Sequence, residues 1–288
     1  MAFLDKKIRL PLSRRSARVK DTRLSNQFGK SEWSGALGDL GTMLPLAYAL
    51  IVFNGFSPER LFLLWGTVYL ITGWYFKVPV SVQPLKVMSV VAIAQGVSVE
   101  MLAGTAVFYG LLLLALSLTG AIGWLQKWFT PTLVKGIQLG IGLILARKAV
   151  DLVVSKGFIL NAPGGTTPIN LLLMGGLVLI LFLFRFRKKI PISIVLVSGG
   201  ILLTFSLGFR VPQMAGENLI SPALPQPAFF LDALVLLIIP QLPLTLGNAV
   251  YAASDACHSL WGAQAARVTP KKLGVSIGLG DVGIGLLG

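Results

Sequence analysis

Three short stretches of this chain hold polar side chains inside apolar surroundings. The first is Val78-Pro-Val-Ser-Val-Gln-Pro84, followed by Leu85 and Lys86. Its β-branched and proline-bounded residues favour an extended backbone, so a helix is expected only from Leu85 onward. Gln83 and Lys86 then fall at the start of a broken helix. Free N–H groups and a partial positive charge collect at a helix N-terminus, and a lysine adds a full charge, so an anion suits that place.

The second stretch is Ile238-Ile-Pro-Gln-Leu-Pro-Leu-Thr-Leu-Gly-Asn248. Gln241, Thr245 and Asn248 are spaced i, i+4 and i+7, which puts them on one face of a helix. Their amide and hydroxyl donors could meet the oxygens of a ligand, and hydrogen bonding between membrane helices would use the same pattern. Pro240 and Pro243 predict an interrupted helix start beside that face. The third stretch, Gly38-Asp-Leu-Gly-Thr-Met-Leu-Pro45, places Asp39 where an ion pair or a helix cap competes with a ligand or proton site.

The elements that must position these groups are helical membrane spans. The chain has 288 residues, 55% hydrophobic and 12% charged, and a mean hydropathy of +0.79. Its apolar blocks are near-continuous and separated by short polar loops, which excludes a water-facing globule and lacks the alternation of an outer-membrane barrel. Spans are predicted near 34–53, 58–76, 79–95, 99–119, 133–150, 168–185, 190–208 and 230–253, with a ninth from 273. The expected class is therefore an all-α polytopic protein of the lipid bilayer. The glycines Gly136, Gly140 and Gly142 of the fifth span are expected to be helix-packing surfaces.

The net charge of +14 resides in the N-terminal tail and in loops, a topology signal and not a nucleic-acid one. With the tail inside, nineteen of the 25 Lys and Arg fall on inside segments, so a cytoplasmic N-terminus in a cell membrane is expected. No cleavable signal peptide is evident before the first apolar run. Phosphate-loop, nucleophile-elbow and paired-histidine patterns are absent, so no enzyme is expected. Gly278-Leu-Gly-Asp-Val-Gly-Ile-Gly285 lies inside a span and is not read as a nucleotide loop. Cys257 and His258 are too few to hold a metal, and no cofactor is implied.

Polar, Gly/Pro-interrupted spans begin near 34 and again near 230, seven spans later, the pattern of a transporter built from inverted repeats. Gly38-Asp-Leu-Gly-Thr-Met-Leu-Pro45, Pro79-Val-Ser-Val-Gln-Pro-Leu-Lys86, Gly136-Ile-Gln-Leu-Gly140 and Pro240-Gln-Leu-Pro-Leu-Thr-Leu-Gly-Asn248 together resemble the molybdate transporter family within the sulfate permease superfamily. The following Arg267-Val-Thr-Pro-Lys-Lys272 also fits.

The resemblance covers about residues 33 to 288 and implies a seven-plus-seven inverted-repeat fold, here stopping within the second repeat. It divides the chain into a basic cytoplasmic tail (1–33), core-domain spans one to four (34–119), gate-domain spans five to seven (120–229) and the start of the second repeat (230–288). It implies secondary active uptake of a tetrahedral oxyanion, molybdate first and sulfate next. The other readings are an uncoupled anion channel and a membrane scaffold. Carried over by position, Gln83 and Lys86 line the anion site from span three, Asp39 and Thr42 from span one, and Gln241, Thr245 and Asn248 from span eight. A homodimer is compatible with this reading.

Overall fold

In a computed structural model of the chain, residues 40–78, 85–156, 167–184 and 230–288 are described, with isolated positions at 26, 28, 29, 80, 82, 198, 199, 202 and 205. Every regular element among the described residues is helical. They are α1 (Leu40–Asn54), α2 (Pro58–Phe76), α3 (Lys86–Gln95), α4 (Val99–Thr119), α5 (Ile122–Gln126), α6 (Pro131–Lys156), α7 (Thr167–Phe184), α8 (230–261) and α9 (Pro270–Leu287). Two helical stretches, Val99–Thr119 and Phe230–Arg267, are long and apolar enough to cross a membrane. Large apolar side chains such as Leu70, Trp74, Leu139, Leu143 and Phe182 are exposed on the outside of the bundle, as lipid contact requires and water contact penalises.

Local chemistry sets most helix ends. Ser57 accepts a hydrogen bond from the Arg60 N–H at 3.5 Å, with Pro58 at the first helical position of α2. Ser98 accepts from the Met101 N–H at 3.2 Å to start α4, and Thr269 accepts from the Lys272 N–H at 3.3 Å ahead of Pro270 in α9. These caps satisfy donors that have no partner within the helix. Gly96 ends α3 at φ +68°, a left-handed conformation that favours glycine.

The expected break in the third span is present: the described residues 78, 80, 82 and 85 are not helical, and α3 starts at Lys86. Ten residues rise about 15 Å, half of a hydrocarbon layer about 30 Å thick. This half-length helix packs against α1, α6 and α8.

The expectation for the eighth span needs correction. Pro240 and Pro243 do not interrupt it: the backbone stays helical from Phe230 to Trp261, with wider π turns at Ala233–Ile238 and Thr245–Ala252 on either side of Ile239–Leu244. A proline lacks the N–H and crowds the preceding carbonyl, and a π turn re-spaces the hydrogen-bond ladder so that the chain continues. A second correction concerns glycine. A Cβ on Gly136, Gly140 or Gly142 would meet nothing within 4 Å among the described residues.

The packing glycines are elsewhere. The helices α4 and α9 cross antiparallel, with Ala103, Gly110 and Ser117 facing Gly285, Gly278 and Gly274. A Cβ on Gly278 would fall 2.8 Å from the Gly110 carbonyl oxygen, and one on Gly110 would fall 2.6 Å from that of Gly278. Small residues here let two backbones touch, the usual means of holding helices together where no hydrophobic effect drives them.

Candidate functional site

The half-helix α3 has no capping side chain of its own at Leu85. Its first-turn donors are met from a residue far along the chain. The Gln241 side-chain oxygen accepts from the Val87 N–H at 2.9 Å and from the Met88 N–H at 3.2 Å. The Gln241 amide nitrogen then donates to the Thr245 hydroxyl at 2.9 Å. Both side chains are buried, so an N–H or carbonyl left without a partner there would be costly. Val87, Val134 and Leu244 pack together beside them as an apolar wall.

The opposite end of α3 is held in the same manner. Asn54, the last residue of α1, donates from its amide nitrogen to the carbonyls of Ala92 at 2.9 Å and Val97 at 2.8 Å. A side-chain amide thus occupies each end of the half-helix, one giving an acceptor to its positive end and one giving a donor to its negative end. Lys86, half-buried, opens α3 immediately before the two amides that Gln241 engages. An oxyanion at this end would find two backbone N–H groups, the Lys86 charge and polar side chains of α8 within one turn of helix.

The residues expected from the sequence divide into three groups. Lys86, Gln241 and Thr245 converge on the start of α3. Asn248 lies three residues beyond Thr245 within the π turn, half-buried. Asp39 and Gln83 lie outside the described residues, and Thr42 is described only as part of the α1 backbone. Leu244 and Leu246, flanking Thr245, are buried against protein. Among the described residues no group of three His, Cys, Asp or Glu is placed to hold a metal. Cys257 is buried, and the exposed His258 sets its ring Nδ1 2.8 Å from the Ser254 carbonyl oxygen within one helical turn.

A second polar centre was not among the expected site residues. Asp281 of α9 is 5% exposed, and its Oδ2 has no hydrogen-bond partner among the described residues. It lines a cavity of about 60 Å³ with Leu50, Leu61, Ser89 and Ala106, and a smaller one of about 20 Å³ with Trp65, Tyr69 and Val82. Tyr109 of α4 is fully buried, and its hydroxyl has no hydrogen-bond partner among the described residues. The sequence signal for this centre is an acid inside a glycine-rich apolar run, because an ionisable group at membrane depth is costly to keep.

Residues 31–145 match the family described as "Molybdate transporter of MFS superfamily". Molybdate transporter 1 of Chlamydomonas reinhardtii is 34% identical over 125 residues, 42% of this chain and 24% of that protein. Molybdate transporter 2 of Arabidopsis thaliana is 32% identical over 133 residues, 46% of this chain and 28% of that protein. Molybdate transporter 1 of Arabidopsis thaliana is 32% identical over 123 residues, 42% of this chain and 27% of that protein. The chain thus spans about a quarter of the length of the curated relatives it matches. No solved structure matches it.

Proposed function

We propose that the chain forms part of a secondary transporter that carries a tetrahedral oxyanion across a membrane, molybdate first and sulfate next. One observation carries the reading: a half-length helix whose first-turn amides turn onto a buried polar side chain of another helix, directly after Lys86. The similarity to molybdate transporters supports it, since residues 31–145 include that helix.

The site comprises Asp39, Thr42, Gln83, Lys86, Gln241, Thr245 and Asn248. On binding, an anion oxygen replaces the Gln241 oxygen at the Val87 and Met88 N–H groups, and Gln241 turns its amide nitrogen to the anion. Asp39 orders Lys86 or a neighbouring amide, because a bare carboxylate would repel the substrate. The seven-plus-seven inverted repeat, its core and gate domains and kinship with sulfate permeases rest on the quoted motifs and on the break before α3, the eighth span being continuous. The matched family's own description names a different superfamily. A cell-membrane location with a cytoplasmic N-terminus rests on the distribution of Lys and Arg.

Uptake of labelled molybdate and sulfate into vesicles carrying the full-length transporter of which the chain forms part tests this reading, with Lys86→Ala compared against Lys271→Ala. Lys271 is exposed in the first turn of α9. Lys86→Ala is expected to weaken oxyanion binding roughly tenfold or more, because it removes a charge beside a desolvated helix end, and Lys271→Ala to leave it unchanged. Equal binding by the two variants would remove the start of α3 as the site.

A further inference from the structure

The transport reading leaves Asp281 unused. We propose that Asp281 is a proton-binding group of the helix bundle, exchanging its proton with water that enters the cavities it lines. This goes beyond oxyanion recognition and depends on that reading only for the use made of the proton.

A lone carboxylate in an apolar interior is kept only when it is paired, ligated or protonated. Asp281 is buried, and its Oδ2 accepts no hydrogen bond among the described residues. Among the described residues metal ligation does not fit, because a hard cation takes six or so oxygens and the side chains lining the larger cavity bring the Ser89 hydroxyl alone beside the carboxylate. An oxyanion does not fit either, since like charges repel at short range in a poorly screened site. A proton needs one carboxylate and a route to water. The larger cavity, about 60 Å³, has room for water beside the polar edge formed by Asp281 and Ser89.

The groups facing Asp281 come from every helix packed about it. The buried titratable group of α4 is Tyr109, and Tyr69 shares the smaller cavity from α2. Ser89 comes from α3, the helix that Lys86 begins, and Leu50 from α1. On α9 itself the other charges, Lys271 and Lys272, are in the first turn and exposed. The step is a plain proton exchange: the O–H bond of the acid breaks, its electron pair stays on the carboxylate, and water takes the proton. No electrons change hands.

Infrared difference spectra of the purified protein between high and low pH test the assignment. A carbonyl band of a protonated carboxylic acid is expected in the wild type and is lost in Asp281→Asn. An unchanged band in Asp281→Asn overturns the proposal. If that variant does not fold, Asp281→Glu serves instead: it keeps the acid and moves it by one methylene, so the band's titration midpoint should shift, and an unshifted midpoint overturns the proposal. In vesicles, stimulation of molybdate uptake by an inward pH gradient is expected to vanish in Asp281→Asn while anion exchange persists; intact stimulation overturns the coupling. A wild type that carries neither molybdate nor sulfate overturns the transport reading alone, and the infrared result still decides on Asp281.

Discussion

Gln241 and Asp281 are both buried polar residues on apolar helices, yet their surroundings treat them oppositely. Gln241 uses both ends of its amide, accepting from Val87 and Met88 and donating to Thr245. Asp281 lines two cavities with an oxygen that has no hydrogen-bond partner among the described residues. A satisfied polar group locks two helices in register, because parting them would strand donors and acceptors in an apolar medium. An unsatisfied one has little to hold and is available for chemistry. The bundle therefore separates a polar contact that fixes α3 on α8 from one poised to change its protonation.

The hardest way to break that comparison is at Gln241. Gln241→Leu would orphan two buried N–H groups at the start of α3 and is expected to destabilise the folded protein by about 2–4 kcal/mol. Asp281→Asn, nearly isosteric and with no bond from Oδ2 to the described residues, should cost under about 1 kcal/mol by the same principle. Equilibrium unfolding in mixed detergent measures both, and equal losses would erase the distinction. Gln241→Glu sharpens it further. The carboxylate still accepts both N–H groups, so stability should hold, while its charge opposes an incoming anion and should lower oxyanion affinity roughly tenfold.

The crossing that carries Asp281 is expected to be nearly as sensitive. Gly278→Ala would push a methyl group against the Gly110 carbonyl oxygen, 2.8 Å away, where backbone cannot yield. A loss of about 1–3 kcal/mol is expected from such overpacking. Gly140→Ala in α6 meets nothing within 4 Å among the described residues and should instead gain about 0.5–1 kcal/mol of helix stability. Thermal unfolding of the two variants with opposite signs would support the distinction between packed and open glycines. Two losses of similar size would show that both helices are closely packed.

The smallest expected effect is at Thr245. Replacing it by valine keeps the volume nearly constant and removes the acceptor for Gln241, at about 0.5–1.5 kcal/mol for one neutral hydrogen bond. If Thr245 also touches the anion, molybdate affinity falls by roughly two- to tenfold. A lower melting temperature with unchanged affinity would make Thr245 a support for Gln241 and no part of the binding surface.

The spacing of Gln241 and Thr245 was legible because an i, i+4 pair meets on any helical turn, and the two do bond at 2.9 Å. The start of α3 was legible for the same local reason: prolines and β-branched residues before Lys86 forbid an earlier helix. Two readings failed where local rules met non-local packing. Prolines 240 and 243 signal a break, but π turns on each side carry the helix through. Glycines 136, 140 and 142 have the composition of a packing face, but composition does not say which helix comes near.

What the sequence determined by itself is thus the apolar class of the chain, the cap residues, the break before α3 and the polar pairs one turn apart. Each depends on residues within about four positions of one another, so their steric and hydrogen-bonding preferences act before the bundle assembles. Only the tertiary structure decided that Gln241 meets amides 153 and 154 residues away, that Asn54 holds the other end of the same half-helix, and that Asp281 has an oxygen without a partner among the described residues. Those outcomes follow from which helices touch, and burial makes a hydrogen bond, or the lack of one, count for more than the residue type that supplies it.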